Sequence, residues 1–117
     1  MESFIQSLRV SDEIVQKKIC EEYTGYTAYK MRLSLPDWRK EGYVYWRGKK
    51  ILRESLEYHG LLTKAYDKLF ENEVFRYCLN MHKDDILIHS IGCKDVKETL
   101  LTPDEYIDQL ERLRRKL

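Results

Sequence analysis

The stretch Tyr26-Thr27-Ala28-Tyr29-Lys30-Met31-Arg32-Leu33-Ser34-Leu35-Pro36 decides how the chain is read. Thr27, Tyr29, Met31, Leu33 and Leu35 alternate with Ala28, Lys30, Arg32 and Ser34. A period of two marks a half-buried strand, closed here by Pro36. Asp37 to Gly42 reads as a turn and Tyr43-Val44-Tyr45-Trp46-Arg47 as a second short strand, so the two are expected to pair as a hairpin.

Beyond Gly48, Lys49–Tyr58 is read as helix, with a third strand continuing through Ile51 as the competing assignment. Gly60 interrupts. Leu62, Ala65, Tyr66, Leu69 and Phe70 then form a helical stripe up to Asn72. Phe75, Tyr77, Leu79 and Met81 again alternate, with Arg76, Cys78 and Asn80. After the turn Lys83-Asp84-Asp85, Ile86–Cys93 completes a second expected hairpin. Phe75, Tyr77, Leu79, Met81, Ile86 and Ile88 are its core face; Val74, Cys78, His82, Leu87, His89, Ile91 and Cys93 share the other, to be covered by a helix or left open to a partner. Val96 to Leu101 reads as a short strand or an extended connector.

Thr102-Pro103-Asp104-Glu105 sets a capping box with Pro at the first helical position. Tyr106, Leu110, Leu113 and Leu117 supply the stripe of the last helix, which is expected to pack on the chain's own sheet, with a homodimer as the alternative. On the amino-terminal side, Ser3 to Leu8 is a short helix with Phe4, Ile5 and Leu8 on one side. Ser11 is the expected N-cap of a second helix carrying Val15, Ile19 and Tyr23, which Gly25 ends in the left-handed conformation. The expectation is a single α+β domain over 1–117 in the order α-β-β-α-β-β-α, with an antiparallel sheet of about four strands, helices on one face and a capped C-terminal helix.

Composition narrows function by exclusion. The 117 residues carry 21 Lys+Arg against 20 Asp+Glu, a net charge of +1, so a polybasic whole-chain nucleic-acid binder and an acidic decoy are excluded. Five Gly and two Pro exclude collagen and low-complexity disorder. The longest apolar run, Ile86-Leu87-Ile88, is far below the roughly 18–20 residues of a membrane span. The N-terminus lacks a secretory signal pattern, and three cysteines without a CxxC spacing suit reduced thiols in a cytoplasm.

Cys78-x3-His82-x6-His89-x3-Cys93 carries zinc-type ligands in mirror order. In strands, residues four apart lie about 13 Å apart, so Cys78 and His82 share a metal only if 74–82 is helical. No metal and no cofactor is therefore expected. His59, His82 and His89 lack a GxSxG elbow or Cys-His signature, Asp84-Asp85 suits a solvated turn, and no phosphate-cradling glycine loop is present. No catalytic residue is assigned; a dispersed-site nuclease or hydrolase is the third reading.

The segment Trp38 to Arg53 concentrates six bases (Arg39, Lys40, Arg47, Lys49, Lys50, Arg53) against one acid, Glu41, a local charge of +5. Trp38, Tyr43, Tyr45 and Trp46 lie among them. Tyr, Trp and Arg bury area while keeping a polar handle, which suits a protein interface. Cations with exposed rings also suit RNA or single-stranded DNA, the runner-up. Tyr26 and Tyr58 join Trp38, Tyr43, Tyr45 and Trp46 in falling mostly outside the clearest core stripes. The leading expectation is a cytoplasmic module that binds another protein, as regulator, inhibitor or adaptor. Its size and its nine tyrosines resemble, by compositional analogy, products of phages and mobile elements.

Overall fold

A computed structural model describes residues 1–89 and 92–117. Helices α1 (Glu2–Ser7), α2 (Glu13–Glu22) and α3 (Gly25–Met31) lead, the last running into a 3-10 turn at Arg32–Ser34. Strands β1 (Tyr43–Trp46) and β2 (Lys49–Leu52) follow, then helices α4 (Leu56–Phe70), α5 (Glu73–Met81) and α6 (Pro103–Arg114). The fold remains α+β, but the expected sheet of about four strands is replaced, among the described residues, by one antiparallel pair. The chain divides into two compact units, Met1–Tyr58 and His59–Leu117, each built around its own contacts.

In the first unit, Tyr26–Leu35 is helical, not a strand. Thr24 Oγ1 accepts the Thr27 amide at 3.1 Å, so Thr24 and Gly25 start a helix where Gly25 was expected to end one. Only Ala28 is buried completely, on the side where α3 meets α1, while Leu33 is 87% exposed. The large alternating side chains serve the helix locally. Lys30 lies 4.6 Å over the Tyr26 ring and Arg32 3.8 Å over Tyr29, pairs with the i,i+4 and i,i+3 spacing of a helix. Asp12, one residue after the expected Ser11, caps α2 by accepting the Ile14 and Val15 amides.

The hairpin of this unit is therefore β1–β2, with Trp46 opposite Lys49 and Val44 opposite Ile51. Arg47 (φ 49°) and Gly48 (φ 80°) form its two-residue loop. Positive φ at both central residues is what a type I′ turn needs, and that turn matches the natural twist of paired strands. The strand assignment for Ile51 prevails over the helical one, because the turn folds Lys49–Leu52 back onto β1. Val44 and Ile51 point inward, and Trp38 and Tyr58 are also buried, against the expectation that these two aromatics lie outside the core.

In the second unit, Asn72 Oδ1 accepts the Phe75 amide at 3.0 Å and starts α5 where a strand was expected. Alternation at Phe75, Tyr77, Leu79 and Met81 splits over two helix faces. Leu79 is buried and Phe75 packs beside it, whereas Tyr77 and Met81 are exposed. The expected strand Ile86–Cys93 is irregular over its described part; residues 90 and 91, Ile91 among them, lie outside the described residues. Its inward side chain is Leu87, while Ile86 and Ile88 are exposed, so the expected facing is reversed along this arm although Phe75 and Leu79 keep theirs. Gly60 does not interrupt: α4 runs through it.

Tyr66, Leu79, Leu110 and Leu113 form this core, with Leu69, Phe70, Phe75, Leu87 and Tyr106 around it. The capping box of α6 is complete: Glu105 N–H donates to Thr102 Oγ1 at 3.1 Å and Thr102 N–H donates to Glu105 Oε1 at 2.8 Å. Arg112 on α6 donates to Asp67 on α4 at 2.7 Å, and this hydrogen bond, with Lys116 adding, holds the Asp67 carboxyl below its ordinary range. Arg114 donates to the carbonyls of His82 and Asp85, closing the end of α5.

The Tyr66 hydroxyl is buried and has no hydrogen-bond partner among the described residues. Burial, reinforced by Tyr106 and Glu105, pushes its phenol far above the ordinary value. An unpaired buried hydroxyl opposes folding, so Tyr66→Phe is expected to raise stability by about 1 kcal/mol. Denaturant titration checks this, and a lowered midpoint would mean that the hydroxyl has a partner.

Candidate functional site

The hairpin is held from α2 by one buried polar side chain. Gln16, 4% exposed, donates from Nε2 to the carbonyls of Tyr45 (2.6 Å), Ser7 (3.0 Å) and Val10 (3.3 Å). Its Oε1 accepts the Arg47 amide at 2.9 Å. The Tyr45 amide donates to the Leu8 carbonyl at 2.9 Å, so the outer edge of β1 is hydrogen-bonded to the segment after α1. Trp46 meets the edge of Phe4, ring centroids 5.0 Å apart at 71°.

This frame distributes the residues singled out in 38–53 unequally. Trp38 and Arg53 are buried, and Arg53 stacks on Tyr58 at 4.5 Å, so neither offers a surface. Tyr43, Tyr45 and Trp46 are half-buried along β1. Arg47 stands 5.3 Å from the Trp46 ring and Lys50 4.3 Å from that of Tyr43. Lys49 pairs with Glu57, and Lys50 lies 3.8 Å from Glu41. Arg39 and Lys40 are exposed on the preceding turn, where the Arg39 amide donates to Asp37.

A groove of about 410 Å³ opens beside the turn, lined by Glu13, Gln16, Lys17, Cys20, Glu21, Trp46 and Arg47. Its wall combines two acids, two bases and one indole, so it offers complementary charge to a polar partner rather than one sign. Burial pushes the Cys20 thiol up, with a hydrogen bond to Ser7 opposing, which disfavours the thiolate a nucleophile requires. The α2 residues were missed by sequence reading. Their one signal is that a glutamine stands at 16, three residues before buried Ile19, while Val15, counted on the inward stripe, is 43% exposed.

The helical α5 removes the geometric objection to Cys78 and His82 as a ligand pair. Among the described residues, however, no group of three or more His, Cys, Asp or Glu side chains comes together as a metal site. His82 Nδ1 instead lies 2.7 Å from Asp85 Oδ2.

A protein-family model described as Bacteriophage protein GP30.3 matches residues 1–115, nearly the whole chain. The chain belongs to the bacteriophage protein GP30.3 family. Comparison with curated proteins and with solved structures gives no match. The GP30.3 assignment makes this a small phage-encoded protein, in line with the compositional analogy. No helix among its described residues is long and apolar enough to cross a membrane.

Proposed function

We propose that this GP30.3-family protein is a binding module that associates with another protein in the cytoplasm of the infected cell, as a regulator, inhibitor or adaptor. The observation that carries this reading is the charge pairing on the hairpin. A phosphate track needs cations unopposed along one face. Here Glu57 and Glu41 stand against Lys49 and Lys50, Arg53 is buried, and the adjoining groove mixes both signs. Half-buried aromatics overlain by Arg47 and Lys50 suit the core and rim of a protein interface.

Arg47→Asn is the informative variant, because Asn keeps the left-handed turn conformation while removing the cation beside Trp46. Trp46→Ala is less suitable, since it also removes the Phe4 contact. With a protein captured from infected cells and then purified, Arg47→Asn is expected to weaken binding by about tenfold or more. Circular dichroism should remain unchanged. If the wild-type protein instead binds single-stranded RNA or DNA with a steep salt dependence and captures no protein, nucleic-acid binding replaces this reading.

A further inference from the structure

From Tyr23 to Pro36 the chain carries no acid and two bases, Lys30 and Arg32. Folded as α3 and its 3-10 turn, this stretch sets each base on a tyrosine ring, Lys30 over Tyr26 and Arg32 over Tyr29. Neither cation has a carboxylate within ion-pair distance among the described residues. Tyr26 is 69% and Tyr29 49% exposed, so both rings stay open to solvent. Arg9, from the segment after α1, donates from Nη1 to the Arg32 carbonyl at 3.1 Å and brings a third cation to the end of the helix. Among the described residues its Nε is buried without a partner and no carboxylate pairs with it. Burial, then the charge of Arg39, lowers its pKa; Arg32 adds to this, while Asp37 and Glu2 oppose it from beyond ion-pair reach.

Unopposed cations along one face are what a phosphate track needs, and α3 supplies what the hairpin lacks, since Glu57 and Glu41 stand against Lys49 and Lys50 there. We infer that this face binds a single-stranded nucleic acid: Lys30, Arg32 and Arg9 meet its phosphates, and Tyr26 and Tyr29 stack on unpaired bases. A ring with a cation over it offers both contacts from one point, the charge to a phosphate and the exposed part of the ring to a base. Charge of a single sign separates this face from the hairpin groove, which offers a protein partner both signs.

Three cations set the strength. At about 0.7 per phosphate on a single strand, log K falls against log salt with a slope of about −2, and affinity lies in the range of about 10⁻⁴ to 10⁻⁶ M of sequence-independent binding. Helix α3 is about 10 Å long, so it meets backbone and stacked bases over a short stretch rather than a sequence. These residues are not those of the hairpin, so strand binding here stands apart from protein capture through Arg47.

The test uses the full chain and fluorescence anisotropy with labelled oligo(U) and oligo(dT) at low salt. Both are expected to bind with the slope given above, and the tighter of the two tells RNA from DNA as the preferred strand. Lys30→Gln with Arg32→Gln, neither in the core, should weaken binding at least tenfold and bring the slope to about −1, with circular dichroism unchanged. Tyr26→Ala should cost about fivefold or more and Tyr26→Phe little, because the ring does the stacking. Arg47→Asn should leave oligonucleotide binding unchanged. No binding at low salt overturns the inference, as do equal binding of a duplex and binding that survives the glutamine pair. Capture of a protein that the glutamine pair abolishes, with neither oligonucleotide bound, overturns it too and gives the face to that protein. Because Arg47 and the glutamine pair stand on different elements, failure here is separable from failure of the hairpin reading.

Discussion

Gln16→Leu is expected to destabilise the unit Met1–Tyr58 by about 3 kcal/mol or more, the largest loss from any single polar side chain in it. The argument rests on what the substitution leaves behind. Leucine fills a similar volume but can neither accept the Arg47 amide nor donate to the carbonyls of Tyr45 and Ser7. Each buried backbone group left without a partner costs about 1–3 kcal/mol, so two or three of them add up to that figure. Gln16→Glu should fail as well, because it keeps the acceptor for Arg47 but aims a carboxylate oxygen at the carbonyl oxygens of Tyr45, Ser7 and Val10. Amide hydrogen exchange over residues 43–52 and denaturant titration read the effect together. A loss below 1 kcal/mol, with protection at the Arg47 amide unchanged, would show that the hairpin is held by its side-chain packing alone.

Leu113→Ala is expected to cost about 2–5 kcal/mol, whereas Leu117→Ala should cost less than about 0.5 kcal/mol. Both leucines belong to the same sequence stripe on the last helix. Leu113 is completely buried among Tyr66, Leu79 and Leu110, so its removal leaves a cavity that close packing cannot fill. Leu117 is 47% exposed beyond the end of α6 and leaves none. Thermal or denaturant unfolding of the two variants, side by side, decides the matter. Equal losses would contradict the core assignment of the second unit.

The difference between those leucines shows how far a pattern carries. The start of α6 was legible because a capping box is complete within four residues, Thr102 to Glu105, and its donors and acceptors meet whatever the rest of the chain does. The concentration of base and aromatic side chains in 38–53 was legible by counting. The pairing that qualifies it was not, since Glu57 lies beyond the segment and reaches Lys49 only once the turn at Arg47-Gly48 has brought β2 back.

Alternation misled at Tyr26–Leu35 and at Phe75–Met81 for one physical reason. Apolar residues two apart satisfy a strand with one buried face, and equally a helix that is apolar on two sides. Thr24 and Asn72, as caps, tilt both segments to helix, and the choice is completed by which face meets a neighbour: Ala28 towards α1, Leu79 towards Tyr66 and Leu110.

What the sequence determined by itself is the local chemistry that closes within a few residues: the α6 capping box and a near-neutral chain with one basic aromatic segment. Which faces are buried, and where the hairpin stands, only the tertiary structure decided. The bonds that decide it join Gln16 to Tyr45 and Arg47 across 29 and 31 residues, and no repeat within a single helix or strand encodes a partner that distant.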